Sequence, residues 1–185
     1  MRKLAIVIAI ALLFTGCMSS DVQKRLVVTA IGIDENSISF QAFSPENEIE
    51  VYTFERVNFL EATGELSLRT GKEVFLGDTE LIIFSGNENI EPYLVTLWHS
   101  PDIFMGTPVA FSEAFLGEIL KIPSEDITAI LSTAGKEVGL IDLYNEIYSV
   151  EKSAKLPLLS ETGEISGEIL LKSSLECGII ALYNE

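Results

Sequence analysis

The sequence predicts an α+β fold: a single domain in which a mixed or antiparallel β-sheet, built from N- and C-terminal strands, is covered by several α-helices. Three observations predict it. Runs rich in β-branched residues, separated by turn signals, occupy residues 26–55 and 164–183. Between them lie segments whose apolar residues recur every three or four positions, as in amphipathic helices. The hydrophobic content of 48% is enough for an ordinary core.

Three strands are predicted near the N-terminus. Residues 26–33 (LVVTAIGI) form an apolar, β-branched run typical of a buried strand. Residues 37–44 (SISFQAFS) alternate in polarity, so we expect them to pair with the first run in an antiparallel hairpin. Their alternation places three apolar residues on one side: Ile38, Phe40 and Ala42. Residues 49–55 (IEVYTFE) are the third strand.

The middle of the chain predicts helices and two further extended segments. Asn58 and Glu61 have the spacing of a capping box, and Gly71 is placed to end that helix. Residues 80–85 (ELIIFS) are a buried-strand candidate. The spacing of Ile90, Leu94, Leu97 and Trp98 predicts an amphipathic helix. Residues 104–111, which contain Pro108, are expected to be an edge strand or a bulge.

The second half predicts three more helices and a closing hairpin. We expect Ser112 to cap a short helix through Leu120 and Ser124 to begin one that ends at Gly135. A longer helix is expected at residues 139–150, followed by a connector at residues 151–157. Residues 164–172 and 175–183 are predicted to pair with each other as a hairpin.

The first 17 residues, MRKLAIVIAIALLFTGC, resemble a bacterial lipoprotein signal, with a basic start, a short apolar run and small residues before Cys17. The run is too short to cross a bilayer, which takes about 20 residues. We expect residues 1–16 to be a removed signal peptide and Cys17 to carry a diacylglyceryl group. Residues 17–24 would link that lipid to a domain at residues 25–185. An ordinary signal peptide with an incidental Cys17 is the alternative.

The chain is strongly acidic, with a net charge of −16. Loss of Arg2 and Lys3 with the leader would leave 10 basic residues against 28 acidic ones, a net charge of −18. This balance argues against a nucleic-acid partner, since nucleic acids need basic patches. It also predicts repulsion from anionic lipid head groups. Membrane attachment would therefore depend on the lipid at Cys17.

The sequence contains no recognisable catalytic, cofactor or metal motif. His99 is predicted to contact the last carbonyls of a helix. Cys177 lies in an apolar run and is expected to be an inert core thiol, whereas a nucleophilic Cys177–His99 pair is the less favoured interpretation. The acidic clusters lack the donor spacing of a calcium loop and are more typical of solvated turns and helix starts. They are Asp34-Glu35, Glu46/Glu48/Glu50 and Glu125-Asp126.

Four further stretches are informative together: residues 27–34 (VVTAIGID), 65–86 (ELSLRTGKEVFLGDTELIIFSG), 100–111 (SPDIFMGTPVAF) and 165–182 (ISGEILLKSSLECGIIAL). In their order and position behind Cys17 they resemble the N-terminal domain of a family of spore-germination lipoproteins, the Ger(x)C family, which form the C subunit of nutrient germinant receptors. The sequence departs from the family pattern after the cysteine, where it has Met18-Ser19-Ser20-Asp21, and at Asp78. Family members also carry further domains, whereas this sequence ends at Glu185.

The resemblance implies a non-enzymatic subunit on the outer face of the spore inner membrane. It also implies association with the multi-spanning receptor subunits. The one specific site that it implies is Cys17, as the point of lipid attachment. Two other functions stay open from the sequence alone. One is an independent lipid-anchored module that binds a ligand or cation, and the other is a hydrolase using Cys177.

Overall fold

The computed structural model describes residues 24–44, 48–86 and 90–173. Within them, eight strands form one sheet and five helices pack on it. The strands are β1 (Arg25–Ile33), β2 (Ser37–Phe43), β3 (Ile49–Glu55), β4 (Glu73–Phe75), β5 (Leu81–Ser85), β6 (Val109–Ser112), β7 (Ser153–Leu159) and β8 (Ile165–Lys172). The helices are α1 (Phe59–Thr70), α2 (Glu91–Trp98), α3 (Leu116–Ile119), α4 (Ser124–Thr133) and α5 (Leu140–Ile147).

The sheet is mixed, with a parallel centre. Its strand order is β3-β2-β1-β5-β6-β7-β8, and β4 pairs with the start of β1. Strands β1, β5, β6 and β7 run parallel to one another. Antiparallel β2 and β3 extend one side, and antiparallel β8 extends the other. The predicted α+β class, with N- and C-terminal strands in one sheet covered by helices, is confirmed.

The helices bury the two faces of the sheet separately. Apolar side chains of α1, α2 and α5 join a core that includes Phe40 and Phe84. Those of α3 and α4 join a smaller core with Leu81 and Ile83 on the opposite face. Adjacent residues of β5 therefore enter different cores, because successive side chains of a strand point to opposite faces.

Structural features that depend on residues close together in the sequence were predicted correctly. Asn58 caps α1, and its side chain accepts a hydrogen bond from the Glu61 N–H at 2.9 Å, while the Glu61 carboxylate accepts one from the Asn58 N–H. Gly71 ends the helix in the left-handed region, at φ 66°, where a residue without Cβ is favoured. The β1–β2 hairpin and the strand at residues 80–85 are also confirmed.

The connector predicted near the end of the sheet was wrong. Residues 151–157 are not a connector, since Ser153–Leu159 forms β7 between β6 and β8. Strand β8 pairs antiparallel with β7, and its predicted hairpin partner, residues 175–183, lies outside the described residues. Lys155 and Pro157 weaken the strand pattern of β7 in the sequence, and the strand is stabilised by pairing with β6, about 40 residues earlier.

Three boundaries also differ from the prediction. Residues 104–107 form a turn, closed by a hydrogen bond from the Thr107 N–H to the Phe104 carbonyl, so the strand begins only at Val109. Ser112 lies buried in β6 rather than capping a helix, and α3 starts after Phe115. The prediction that a helix begins at Ser124 is confirmed by α4, whose N-cap is Pro123, and the Ser124 hydroxyl donates to the Glu80 carboxylate at 2.8 Å. The longer helix predicted at residues 139–150 spans only Leu140–Ile147.

Within the three described ranges, no helix has the length and apolar character needed to span a bilayer.

Candidate functional site

The residues predicted to carry specific chemistry are only partly visible in the structure. Cys17, the predicted lipid attachment site, and Cys177 both lie outside the described residues. His99 follows the last residue of α2, and its Nδ1 lies 2.8 Å from the Val95 carbonyl oxygen, so the predicted contact with a helix end is confirmed. Among the described residues, no group of three or more histidine, cysteine, aspartate or glutamate side chains is placed to hold a metal ion.

The carboxyl ends of the parallel strands carry an acidic cleft. Its walls come from the turns after β1, β3, β5 and β6, and its volume is about 490 Å³. We call this cavity the acidic cleft; it is lined by Asp34, Glu35, Asn36, Ser37, Glu55, Ser85, Gly86, Glu113, Ala114, Phe115 and Leu116. Clefts at the carboxyl ends of parallel strands are frequent ligand sites in α/β sheets, because the loops there diverge from a rigid support.

The carboxylate of Asp34 is used by its own turn. It accepts hydrogen bonds from the Asn36 and Ser37 N–H groups, each at 2.7 Å, and from the Ser37 hydroxyl at 2.8 Å. This agrees with the interpretation of Asp34-Glu35 as a turn. On the α2 side, Tyr93 donates its hydroxyl proton to the Asp34 carbonyl at 3.1 Å. Burial, followed by the charges of Asp34 and Glu35, raises the pKa of Tyr93, so the phenol stays protonated.

The amino ends of the same strands carry apolar side chains. Phe104 belongs to the turn before β6 and is 70% exposed, and Val150 belongs to the turn before β7 and is fully exposed. The Trp98 and Tyr144 rings, which belong to the helices beside these turns, stack with centroids 4.2 Å apart, and the Tyr148 ring lies 4.5 Å from that of Tyr144. We call this set the apolar ridge; it consists of Trp98, Phe104, Tyr144, Tyr148 and Val150.

The helix that carries Tyr144 is held beside the turn that carries Phe104. The Ile141 N–H donates to the Met105 carbonyl at 2.8 Å, which fixes the start of α5 against the Phe104 turn. Leu143 and Ile147 of α5 point into the core, so Tyr144 and Tyr148 lie along the border of the helix with solvent. Burial raises the pKa of Tyr148, with smaller effects from Tyr144 and Glu91.

A second depression lies between α1 and α2. It has a volume of about 530 Å³ and is mainly apolar, with Leu60 and Val95 exposed on opposite walls and His99 at one end. Its neighbours Thr63 and Thr96 use their hydroxyls for hydrogen bonds to carbonyls of their own helices. The groove therefore offers apolar contact area rather than a set of converging polar groups.

The polar centre beneath α3 and α4 has no recognisable signal in the sequence. Gln41 is fully buried, and its amide donates to the Leu120 and Ile122 carbonyls, each at 2.7 Å. Its carbonyl oxygen accepts from the Thr29 hydroxyl at 2.8 Å and from the Ser124 N–H at 3.2 Å. All four hydrogen-bonding positions of the side chain are thereby used. We interpret Gln41 as a structural residue that fixes the α3–α4 turn to the sheet.

Comparison with known proteins identifies the family. The chain matches the family described as "Spore germination protein N-terminal domain" over residues 2–160. That range includes β1 to β7 and all five described helices. No curated protein and no solved structure matches the chain. The match covers well over half of the sequence, so this chain belongs to the spore germination protein N-terminal domain family and has a role related to spore germination.

Proposed function

We propose that the chain is a lipid-anchored, non-catalytic subunit of a nutrient germinant receptor complex and acts through contacts with the multi-spanning receptor subunits. The observation that carries this proposal is the family match over residues 2–160. The match begins inside the leader, so the segment with the lipoprotein pattern belongs to the matched part of the chain. The site of action would be the outer face of the spore inner membrane.

The described surface supports a function in binding rather than in chemistry. Large apolar side chains are exposed on the apolar ridge and in the groove between α1 and α2. Exposed aromatic and aliphatic side chains are typical of interaction surfaces, because they gain most from being removed from water. The acidic surface would favour a partner with complementary basic groups and would discourage self-association.

The anchor is tested with Cys17→Ala and its matched control Cys177→Ala. We expect a radiolabelled fatty acid to be incorporated into the unchanged chain and into the Cys177→Ala variant, but not into Cys17→Ala. After a high-salt wash, Cys17→Ala should leave the membrane fraction, because the apolar run is too short to span the bilayer. Label on the Cys17→Ala variant would contradict the proposed attachment site.

The receptor role is tested by deleting the gene and following germination of the spores with single nutrients. We expect the response to at least one nutrient to be lost and to return when the gene is restored. Cross-linking in spore membranes should recover the chain together with multi-spanning receptor subunits. Unchanged germination with every nutrient, in a strain without a second copy of the gene, would contradict the role.

A further inference from the structure

We propose that the apolar ridge and the amino ends of the parallel strands face the lipid bilayer that carries the anchor, and that the acidic cleft points away from it. This inference rests on the lipid anchor of the proposed function and specifies how the domain is oriented above the membrane. The partner of the apolar ridge is thus the bilayer interface itself.

The first argument is the length of the tether. Seven residues, 18–24, separate Cys17 from Arg25, where β1 begins. Even fully extended, such a segment reaches about 29 Å, and a flexible one is much shorter on average. Strand β1 has nine residues, which corresponds to about 30 Å of strand. A carboxyl-end contact with the bilayer would require a tether stretched along the whole of β1, whereas an amino-end contact requires no extension.

The second argument is what the amino ends expose. Because β1, β5, β6 and β7 are parallel, the turns before β6 and β7 lie at the edge of the sheet where β1 begins. These turns carry Phe104 and Val150. Tyr148 is two residues from Val150 and contacts Trp98 through Tyr144, and both Tyr148 and Trp98 are a little over one-third exposed. Tryptophan and tyrosine are enriched at membrane interfaces, where an apolar ring with a polar group suits both lipid and water.

The third argument is the distribution of charge. Within five residues before the four parallel strands, the described residues include two basic and three acidic ones: Lys24, Lys152, Asp78, Glu80 and Glu151. Arg25 and Lys172 add two more basic side chains at this edge, and Glu73, whose carboxylate lies 3.6 Å from the Arg25 guanidinium, adds one more acidic side chain. Within five residues after the same strands, the described residues include five acidic ones and no basic one: Asp34, Glu35, Glu113, Glu161 and Glu164.

This difference changes what the net charge implies. A uniform charge of −18, as expected after loss of the leader with Arg2 and Lys3, would be repelled by an anionic leaflet in every orientation. The described charges instead make the carboxyl ends strongly acidic and the amino ends close to neutral. An anionic bilayer therefore repels the acidic cleft more than the apolar ridge, which favours the same orientation as the tether does.

The test uses the native fluorescence of Trp98, which is the single tryptophan of the chain. The chain from Cys17 onward, with Cys177→Ser, is coupled through the Cys17 thiol to a maleimide lipid in vesicles of phosphatidylcholine and phosphatidylglycerol. Half of the vesicle preparations contain phosphatidylcholine brominated on its acyl chains. We expect bromine to remove about half of the Trp98 emission, because interfacial side chains lie within roughly 10 Å of the acyl region.

The matched control moves the reporter to the other edge. In a Trp98→Phe, Phe115→Trp variant, the tryptophan replaces a side chain that is 68% exposed beside the acidic cleft. We expect its emission to be unaffected by brominated lipid. Equal quenching at both positions, or quenching at position 115 alone, would overturn the proposed orientation.

Two further variants test the apolar ridge as the contact. Phe104→Ser and Val150→Ser change exposed side chains, so folding should be retained. Each should lower the quenching of Trp98, and together they should remove most of it. Unquenched Trp98 in the parent chain would overturn the proposal and would leave a protein partner, a second copy or residues 174–185 as the cover of the ridge. Because the coupling is chemical, this outcome is independent of whether cells lipidate Cys17.

Discussion

The two faces of the sheet are buried by different chemistry. On the face covered by α1, α2 and α5, the contacts are apolar, and the Phe40 ring lies about 6 Å from the rings of both Phe54 and Phe59. On the face covered by α3 and α4, the apolar core is smaller, and the buried Gln41 makes four hydrogen bonds beside it. We call these the apolar face and the hydrogen-bonded face. The first depends on the amount of buried area, whereas the second depends on the pairing of particular groups.

The largest effect is expected on the apolar face, from Phe40→Ala. The substitution removes a fully buried ring from the middle of three aromatic side chains. It should lower the free energy of unfolding by about 3–5 kcal/mol, since the cavity that remains cannot collapse completely. Urea denaturation followed by circular dichroism measures the loss. Phe43→Ala, at the partly exposed end of the same strand, is the control and should cost much less.

A loss at Phe40 no larger than that at Phe43 would show that the apolar face does not depend on this aromatic contact. The proposed dependence of the apolar face on buried area would then be wrong. A large loss at both positions would instead indicate that the end of β2 is more tightly packed than its exposure implies.

A smaller but still substantial effect is expected on the hydrogen-bonded face, from Gln41→Leu. Leucine fills a similar volume, but it leaves the Leu120 and Ile122 carbonyls and the Ser124 N–H without their buried partner. The free energy of unfolding should fall by about 2–4 kcal/mol, because the buried groups left without a partner are still removed from water and no hydrogen bond compensates for that. The same urea experiment measures it.

The matched test adds Thr29→Val, which removes the hydroxyl that donates to Gln41. If the two residues act through that bond, the double variant should lose less than the sum of the two single losses. Strictly additive losses would mean that the Thr29–Gln41 hydrogen bond contributes little. Burial alone would then determine the stability of the hydrogen-bonded face.

The contrast between the faces explains how much the sequence could predict. The alternation of Ile38, Phe40 and Ala42 predicted one buried face of β2 correctly. It did not predict that Ser39 and Gln41 on the other side are also buried, because the partners of Gln41 near residue 122 lie about 80 positions away. Hydrogen bonds between distant residues leave no periodic signal in the sequence.

The same reasoning applies to the strands and to the surfaces. The capping box of α1 was predictable because its two residues are three positions apart. Strand β7 was missed because its stability comes from neighbours on both sides of the sheet. The acidic cleft and the apolar ridge each combine turns from distant parts of the chain, and the parallel order that brings those turns together was not visible in the sequence.

A moderate effect is expected at the start of α1, which lies on the apolar face. Asn58→Ala removes the side-chain acceptor of the Glu61 N–H and leaves that donor to water. The free energy of unfolding should fall by about 1 kcal/mol, the usual value for an N-cap residue. Leu60→Ala is the control, since its side chain is exposed on the same turn. A loss at Leu60 equal to that at Asn58 would mean that packing, not capping, sets the stability of this end.

The smallest effect is expected from a surface ion pair beside the hydrogen-bonded face. Lys136, just after α4, pairs with Glu168 of β8 and holds the pKa of that carboxyl below its usual range. A lowered pKa in the folded state contributes stability above the unfolded-state pKa, and this is lost as pH falls through the folded-state pKa. Glu168→Gln should therefore lower the urea midpoint slightly at neutral pH, and the difference should vanish in acid and at high salt. Glu164→Gln, at a nearby carboxylate without an ion pair in the described part of the chain, is the control and should change the urea midpoint at neutral pH less than Glu168→Gln does. If Glu168→Gln approached Gln41→Leu in size, surface charge rather than buried hydrogen bonding would dominate this face.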